Sequence, residues 1–261
     1  MRRTKAQVLE TDHAIDSIIK KSNTGKAKIS QKNELVLWCC LSKCQDLLYT
    51  QYLKSDIVRQ IMRQSDKSNI LSAMSALRTI CNHPRQHKGT TNGVLRKLKT
   101  ASQNGMKATD EIFQDDDDDD LDDCSIASDL TNVRPRELIS ESTKLKVVVK
   151  LLVAHKTTGH RTLIFSQFTS MLDLVEKVIT DHLKYKYFRI DGTTSNKDRQ
   201  RFVDAFNTND EYTCFLITTG AGGVGLTLTG ADRVILIDPH WNPAVDQQAV
   251  DRAVSTILWL H

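Results

Sequence analysis

From Cys214 to Arg252 the chain reads CFLITTGAGGVGLTLTGADRVILIDPHWNPAVDQQAVDR. An apolar, β-branched run stops at Thr218-Thr219 and turns through Gly220, Gly222, Gly223 and Gly225. A second apolar run follows from Arg233 to Ile237 and ends at Asp238-Pro239. This is a strand, a glycine-rich turn at its carboxyl end, and another buried strand. Ligands of open α/β sheets sit at the carboxyl ends of strands, so the turn and Asp238 mark a site.

Gly220, Gly222 and Gly225 also fit GxGxxG, the dinucleotide fingerprint. That fingerprint needs a crossover helix of ten or more residues within a unit of about thirty. Only Leu226 to Asp232 separates the last glycine from the next strand, about two turns of helix at 3.6 residues per turn. The spacing argues against NAD.

The rest of the second half alternates. Lys144 to His155 is amphipathic, Arg161 to Ser166 a strand, Ser170 to Leu183 a helix, Tyr187 to Ile190 a strand and Asn196 to Phe206 a helix. A last helix starts at Pro243. Helices between short β-branched runs predict a parallel sheet covered on both faces, an α/β fold. Upstream, Asn33 to Cys39 reads as a short strand, Ser42 to Lys54 as a helix capped by Ser42, and Ile57 to Met62 and Asn69 to Cys81 as two more helices. Trp38 and the tyrosines follow the apolar face and read as packing residues.

Composition divides the chain. Residues 1–30 are a basic, polar connector, 31–88 a helical segment, 89–140 an acidic insert expected to be disordered, and 141–261 the α/β domain. Asp110 to Asp123 holds ten acids and no base; with 36 bases against 22 acids elsewhere, the remainder carries +14 where the whole carries +4. A basic remainder suits a polyanion. The acidic run reads most simply as a solvated insert. The sharper alternative, that it mimics nucleic acid or binds histones and competes for the basic surface, stays open.

No run approaches eighteen apolar residues and the amino end has no apolar signal region, so neither secretion nor a membrane is expected. Six cysteines at 39, 40, 44, 81, 124 and 214 form no CxxC pair and fit buried, reduced thiols. Cys81, His83 and His87 lack a fourth partner for a metal, and a helix end with a proline turn is the preferred reading.

TTGAGGVGLTLTGADRVILIDPHWNPAVDQQAVDR closely resembles the fifth motif and the start of the sixth in Swi/Snf-family DNA translocases of helicase superfamily two. LIFSQFTSMLDLVE (163–176) is similar to the fourth motif and FRIDGTTSNKDRQRFVDAFN (188–207) to the segment after it. LRTICNHP (77–84) resembles the helix following the first motor lobe, and MRRTKAQVLE (1–10) the exit from that lobe. The flavour is that of the Cockayne-syndrome-B and mitotic-checkpoint-helicase branch. The resemblance implies a RecA-like second motor lobe, preceded by a helical inter-lobe segment, in a nuclear ATPase of chromatin remodelling or DNA repair.

It also implies roles. Ser166, Gln167, Asp191, Gly192, Thr193, Thr218, Thr219 and Gly220 stand at three strand ends, where the family tracks a DNA backbone. Gly223, Gly225 and Asp251 fall on the nucleotide side. Gln248, Asp251 and Arg252 share a helix face at i, i+3 and i+4. Gln248 and Arg252 open the sixth motif, whose arginines reach the γ-phosphate held by the other lobe. A second arginine within R-I-G-Q is expected three residues on, where this chain has Ser255. The family's final strand and closing helix are then expected to be missing, with Ile257 to Leu260 leaving a sheet edge uncovered.

No GxxxxGK[ST] phosphate loop occurs in the chain, so neither of its Asp-Glu pairs, at 110–111 and 210–211, is read as the metal-holding DExx acid that accompanies such a loop. ATP and Mg²⁺ are therefore expected only with the absent first lobe, and none bound by this chain alone. The partners implied are double-stranded DNA, that first lobe, and chromatin or histones. Two functions are open: a motor lobe inactive by itself, or a non-catalytic DNA- or partner-binding module competing with the complete motor.

Overall fold

The computed structural model describes residues 5–9, 33–55, 58, 59, 61, 67–86, 130, 132–222, 227–250 and 256–260. Seven strands form one sheet in the order β1-β2-β7-β6-β3-β5-β4: β1 (Lys5–Leu9), β2 (Asn33–Cys39), β3 (Thr162–Ser166), β4 (Lys186–Ile190), β5 (Tyr212–Thr218), β6 (Arg233–Leu236) and β7 (Thr256–Leu260). Every pairing is parallel, so all carboxyl ends lie along one edge.

Side chains of successive strand residues point to opposite faces, and the core divides accordingly. Ile164, Cys214, Leu216, Ile235, Leu258 and Leu260 pack on one face. Leu163, Phe165, Phe215, Ile217, Val234 and Leu236 pack on the other. The first face is covered by α3 (Pro135–Glu141), α4 (Thr143–Thr157) and α5 (Thr169–Val178), which contribute Leu138, Leu151 and Val175. The second is covered by α6 (Asn196–Thr208) through Val203 and Phe206. Both faces are buried because helices cover both, as continuous apolar strands require. A π-helical turn, Ile179–Leu183, ends α5 and is closed by Lys184 at φ 54.

The amino-terminal helices join this domain by shared caps. Ser42 caps α1 (Lys43–Lys54) by accepting from the Gln45 amide at 3.1 Å, and Gln45 returns the bond to the Ser42 amide at 3.1 Å. The Gln45 amide group also donates to the carbonyls of Ile80 and Cys81 (2.9 and 2.7 Å), satisfying the carboxyl end of α2 (Lys67–Asn82). Ser142 caps α4 and donates to the Asn82 carbonyl at 2.6 Å. These helix ends, with orphan groups that an isolated helix leaves to water, satisfy one another.

Three expectations change. β7 is not a loose tail: it lies between β2 and β6, with Leu258 and Leu260 fully buried, so Thr-Ile-Leu-Trp-Leu fills an interior strand position and no edge is left uncovered there. The insert ends earlier than 140, because Leu130 and Leu138 are buried and Pro135, whose fixed φ suits a first helical turn, opens α3. Trp38 is 49% exposed and not a core residue, since alternation along β2 buries Leu37 and turns its neighbour outward. The expected disorder of 89–129 and most of the helix over 57–62 lie outside the described residues.

Candidate functional site

The ends of β3, β4, β5 and β6 share one edge, as the motif order requires. Asp238, just beyond β6, organises it from within. The carboxylate accepts from the Ser166 hydroxyl (2.7 Å) and the Gln167 amide (2.8 Å), and from the Asn82 side chain at 3.1 Å. The Gln167 side chain donates to the carbonyls of Asp238 and Pro239 at 2.7 and 2.8 Å. Lys144, also buried, bridges Asn82 Oδ1 (3.0 Å) and the Ile237 carbonyl (2.9 Å).

Burial pushes the Asp238 carboxyl up to about 6 against the pull of these donors, and burial likewise lowers the Lys144 amine. Asp238 is thus a structural hub and is not exposed to a ligand. Ser166 is fully buried with its hydroxyl on this carboxylate, and half-buried Gln167 turns its side chain to the Asp238 and Pro239 carbonyls. Both side chains brace the edge from within.

The β4 end is built differently. Asp191 Oδ1 accepts from the Thr193 amide (3.0 Å) and hydroxyl (2.6 Å), and Oδ2 accepts from Arg189 Nε at 3.0 Å. Desolvation acts to raise this carboxyl, but the Thr193 and Arg189 contacts outweigh it and hold the pKa below the ordinary value. Arg189 is tied to α5 through Asp173 at 2.6 Å and Glu176 at 2.5 Å. Arg199 of α6 donates to the carbonyls of Thr194 and Asp191 at 2.9 and 3.0 Å. Two arginines thereby hold a loop whose Gly192 and Thr193 are exposed.

At the β5 end Thr218 and Thr219 are buried, and their hydroxyls have no partner among the described residues; Gly220, the second residue of the short helix α7 (Thr219–Gly222), is exposed. Asn207 fixes the far side of the glycine turn, donating to the Thr227 carbonyl and accepting from the Gly230 amide, both at 2.9 Å. Gly230 is there because a Cβ would lie 2.8 Å from Arg161 Nη1 and 3.1 Å from the Phe206 carbonyl.

Gln248 lies in the last turn of α8 (Pro243–Val250); Gly223, Gly225, Asp251 and Arg252 lie outside the described residues. His83 is buried, donates to the Leu138 carbonyl and accepts from the Arg85 amide, so both ring nitrogens have protein partners and neither is available to a metal. Burial pushes the thiols of Cys39 and Cys44 up to about 11, which keeps them protonated at neutral pH. Lys144 lies in a helix that reads only as amphipathic, whereas Asn82 falls within 77–84 and Arg189, Arg199 and Asn207 within 188–207, where the motif marks the segment but not the bonds these side chains make.

Residues 143–256 match the helicase conserved C-terminal domain, and residues 14–86 match the SNF2-related domain. The chain belongs to the Swi/Snf family. Among its relatives are the DNA excision repair protein ERCC-6-like of Danio rerio, 34% identical over 97% of this chain and 17% of the relative, and Protein CHROMATIN REMODELING 24 of Arabidopsis thaliana, 37% identical over 97% and 21%. The DNA repair and recombination protein RAD26 of Saccharomyces cerevisiae is 36% identical over 86% of this chain and 17% of its own length. The Swi/Snf chain described here thus spans about a fifth of the length of these relatives.

Its fold is that of the C-terminal part of the Fun30 ATPase domain (TM-score 0.64, 24% identity, 89% of this chain and 85% of the other). It is also that of the Sulfolobus solfataricus SWI2/SNF2 ATPase core in complex with dsDNA (TM-score 0.60, 20% identity, 88% and 41%). The RecA-like parallel sheet is common to all three.

Proposed function

We propose that this chain is the second motor lobe of an ATP-driven translocase on double-stranded DNA, giving backbone contacts to the DNA and an arginine to a nucleotide cleft that a first lobe completes. The observation that carries the reading is the shared edge. Gly192, Thr193 and Gly220 are exposed along it, with the Thr218 and Thr219 hydroxyls behind. Neutral hydroxyl and amide donors suit phosphate oxygens, which position a protein on DNA without reading sequence. Ser166, Gln167 and Asp191 shape the edge from inside.

In this reading Gly223, Gly225 and Asp251 face the nucleotide, Gln248 orients, and Arg252 meets the charge on the transferred phosphoryl group. The ATP phosphoanhydride supplies the driving energy. Hydroxyls and backbone amides fit its phosphates, whereas Asp238, enclosed by Ser166, Gln167 and Asn82, does not fit Mg²⁺. Metal and phosphate cradle fall to the first lobe. A nuclear location, and chromatin as the setting of the DNA, belong to the same proposal and are supported by the names of the relatives.

The isolated chain is expected to hydrolyse no ATP above background with or without DNA; a DNA-stimulated turnover of about one per second, within the range of phosphoryl-transfer enzymes, overturns the reading. DNA affinity measured by anisotropy is expected to fall about tenfold in Thr193→Glu, which sets a carboxylate against phosphate. Unchanged affinity removes this edge from the DNA path.

The second reading, a non-catalytic DNA- or partner-binding module, is favoured by Ser255. Joined to a complete first lobe, the chain with Ser255→Arg and β7 unchanged is expected to outpace the present sequence by about 10³ to 10⁵, the worth of an arginine finger. Equal, rapid ATPase rates would show that Arg252 suffices; no ATPase in either fusion, with DNA binding kept, would favour the module.

A further inference from the structure

Helix α2 reaches the edge at two residues one turn apart. Asn82 bonds the Asp238 carboxylate at 3.1 Å and takes the Lys144 ammonium at 3.0 Å. Arg78 donates to the Pro239 carbonyl, and its guanidinium stacks on Trp241 with the carbon 4.6 Å from the ring centroid. Trp241 is otherwise 62% exposed, so this contact does not serve to fill a core. Two residues after Asp238, the His240 amide donates at 2.6 Å to Asp246, a buried residue in the first turn of α8. An unbroken series of polar contacts therefore runs from α2, through 238–241, to α8.

We propose that Arg78 and Asn82 are positioning residues through which the helical inter-lobe segment sets the bearing of α8. Arg78 and Asn82 share a face of α2 at i and i+4, and what they grip is the segment 238–241 between β6 and α8. Among the described residues, Ser166 and Gln167 hold its start and Asp246 its end, and the Asn242 amide donates to the His240 ring. A shift of α2 against the sheet would draw Pro239 and Asp238 unequally and tilt α8. The consequence for catalysis rests on the function proposed above, in which α8 leads to Gln248 and Arg252. The mechanical link does not.

Hydrogen exchange read by mass spectrometry on the 261-residue chain tests it. In Asn82→Ala and Arg78→Ala the amides of residues 240–250 are expected to exchange about tenfold faster, the effect of one lost buried or charge-assisted bond on a local opening. Amides of β3 and β5 are expected to keep their protection. Arg78→Lys, which keeps a donor for the Pro239 carbonyl, is expected to recover most of the loss. Arg78 is only half-buried, so its variants fold even where Asn82→Ala does not. Acceleration spread evenly over the sheet would make these residues general stabilisers and overturn the proposal, as would unchanged exchange at 240–250. Because no ATPase is measured, either failure leaves the motor-lobe reading untouched, and loss of that reading leaves the coupling standing.

Discussion

Asp238 is where the residue-level physics has the clearest sign. Burial lifts its carboxyl from 3.8 to about 6 in the folded chain. Between those values the folded state holds a proton that the unfolded state has released. Stability from this group is therefore complete below the unfolded value and is lost as pH rises through about 6, and a gap of about two pH units corresponds to about 3 kcal/mol. Two buried histidines act oppositely: burial lowers His83 and His155 to about 3, so their share is present above the unfolded value of 6.5 and lost as pH falls. Total stability mixes both signs, and the difference between the chain and Asp238→Asn isolates one. Urea unfolding at pH 4.5 and pH 7 is expected to bring the native chain down relative to Asp238→Asn by about 2 kcal/mol. Parallel pH curves would show that Asp238 ionises as freely as in solvent.

At the scale of elements, β7 decides whether the carboxyl-terminal run is structural. Its neighbours on both sides are parallel strands, and Leu258 and Leu260 meet α4-side core residues. Leu258→Ala is expected to cost about 2 to 5 kcal/mol, as for other fully buried leucines, whereas an edge strand with one open face would lose much less. Thermal unfolding of that variant beside Val153→Ala, an exposed control on α4, gives the comparison; equal midpoints would return β7 to the status of a tail. The order of strands and helices was legible because each buried strand is a short β-branched run and each helix carries 3.6-residue spacing. β7 has the same signature, yet the resemblance, by drawing attention to the absent arginine, hid it. The edge residues were legible by type at Ser166, Gln167, Asp191 and Thr218, but not the direction of their side chains. Ser166 turns inward because of Asp238, 72 residues away, and Asp238 is held in turn by Asn82 of α2; no local pattern encodes either contact.

For the whole molecule the question is how a chain of net charge +4 approaches a polyanion when ten of its 32 acids lie in one run of fourteen residues. With 36 bases and 22 acids outside Asp110 to Asp123, the remainder is +14, ample for sequence-independent attraction. Replacing Asp115 to Asp120 by asparagine raises the net charge from +4 to +10 without touching any described residue. If the run competes for the surface that DNA takes, the variant binds DNA more tightly at about 50 mM salt, and the advantage shrinks by about 200 mM, where screening shortens the reach of charge to less than 10 Å. A solvated bystander predicts superimposable salt curves. Counterion release predicts that both proteins lose affinity steeply over this range, so shared steepness reports phosphate contacts and the gap between the curves reports the acidic run. Equal affinity at low salt would assign the run no part in DNA binding, whatever the slope.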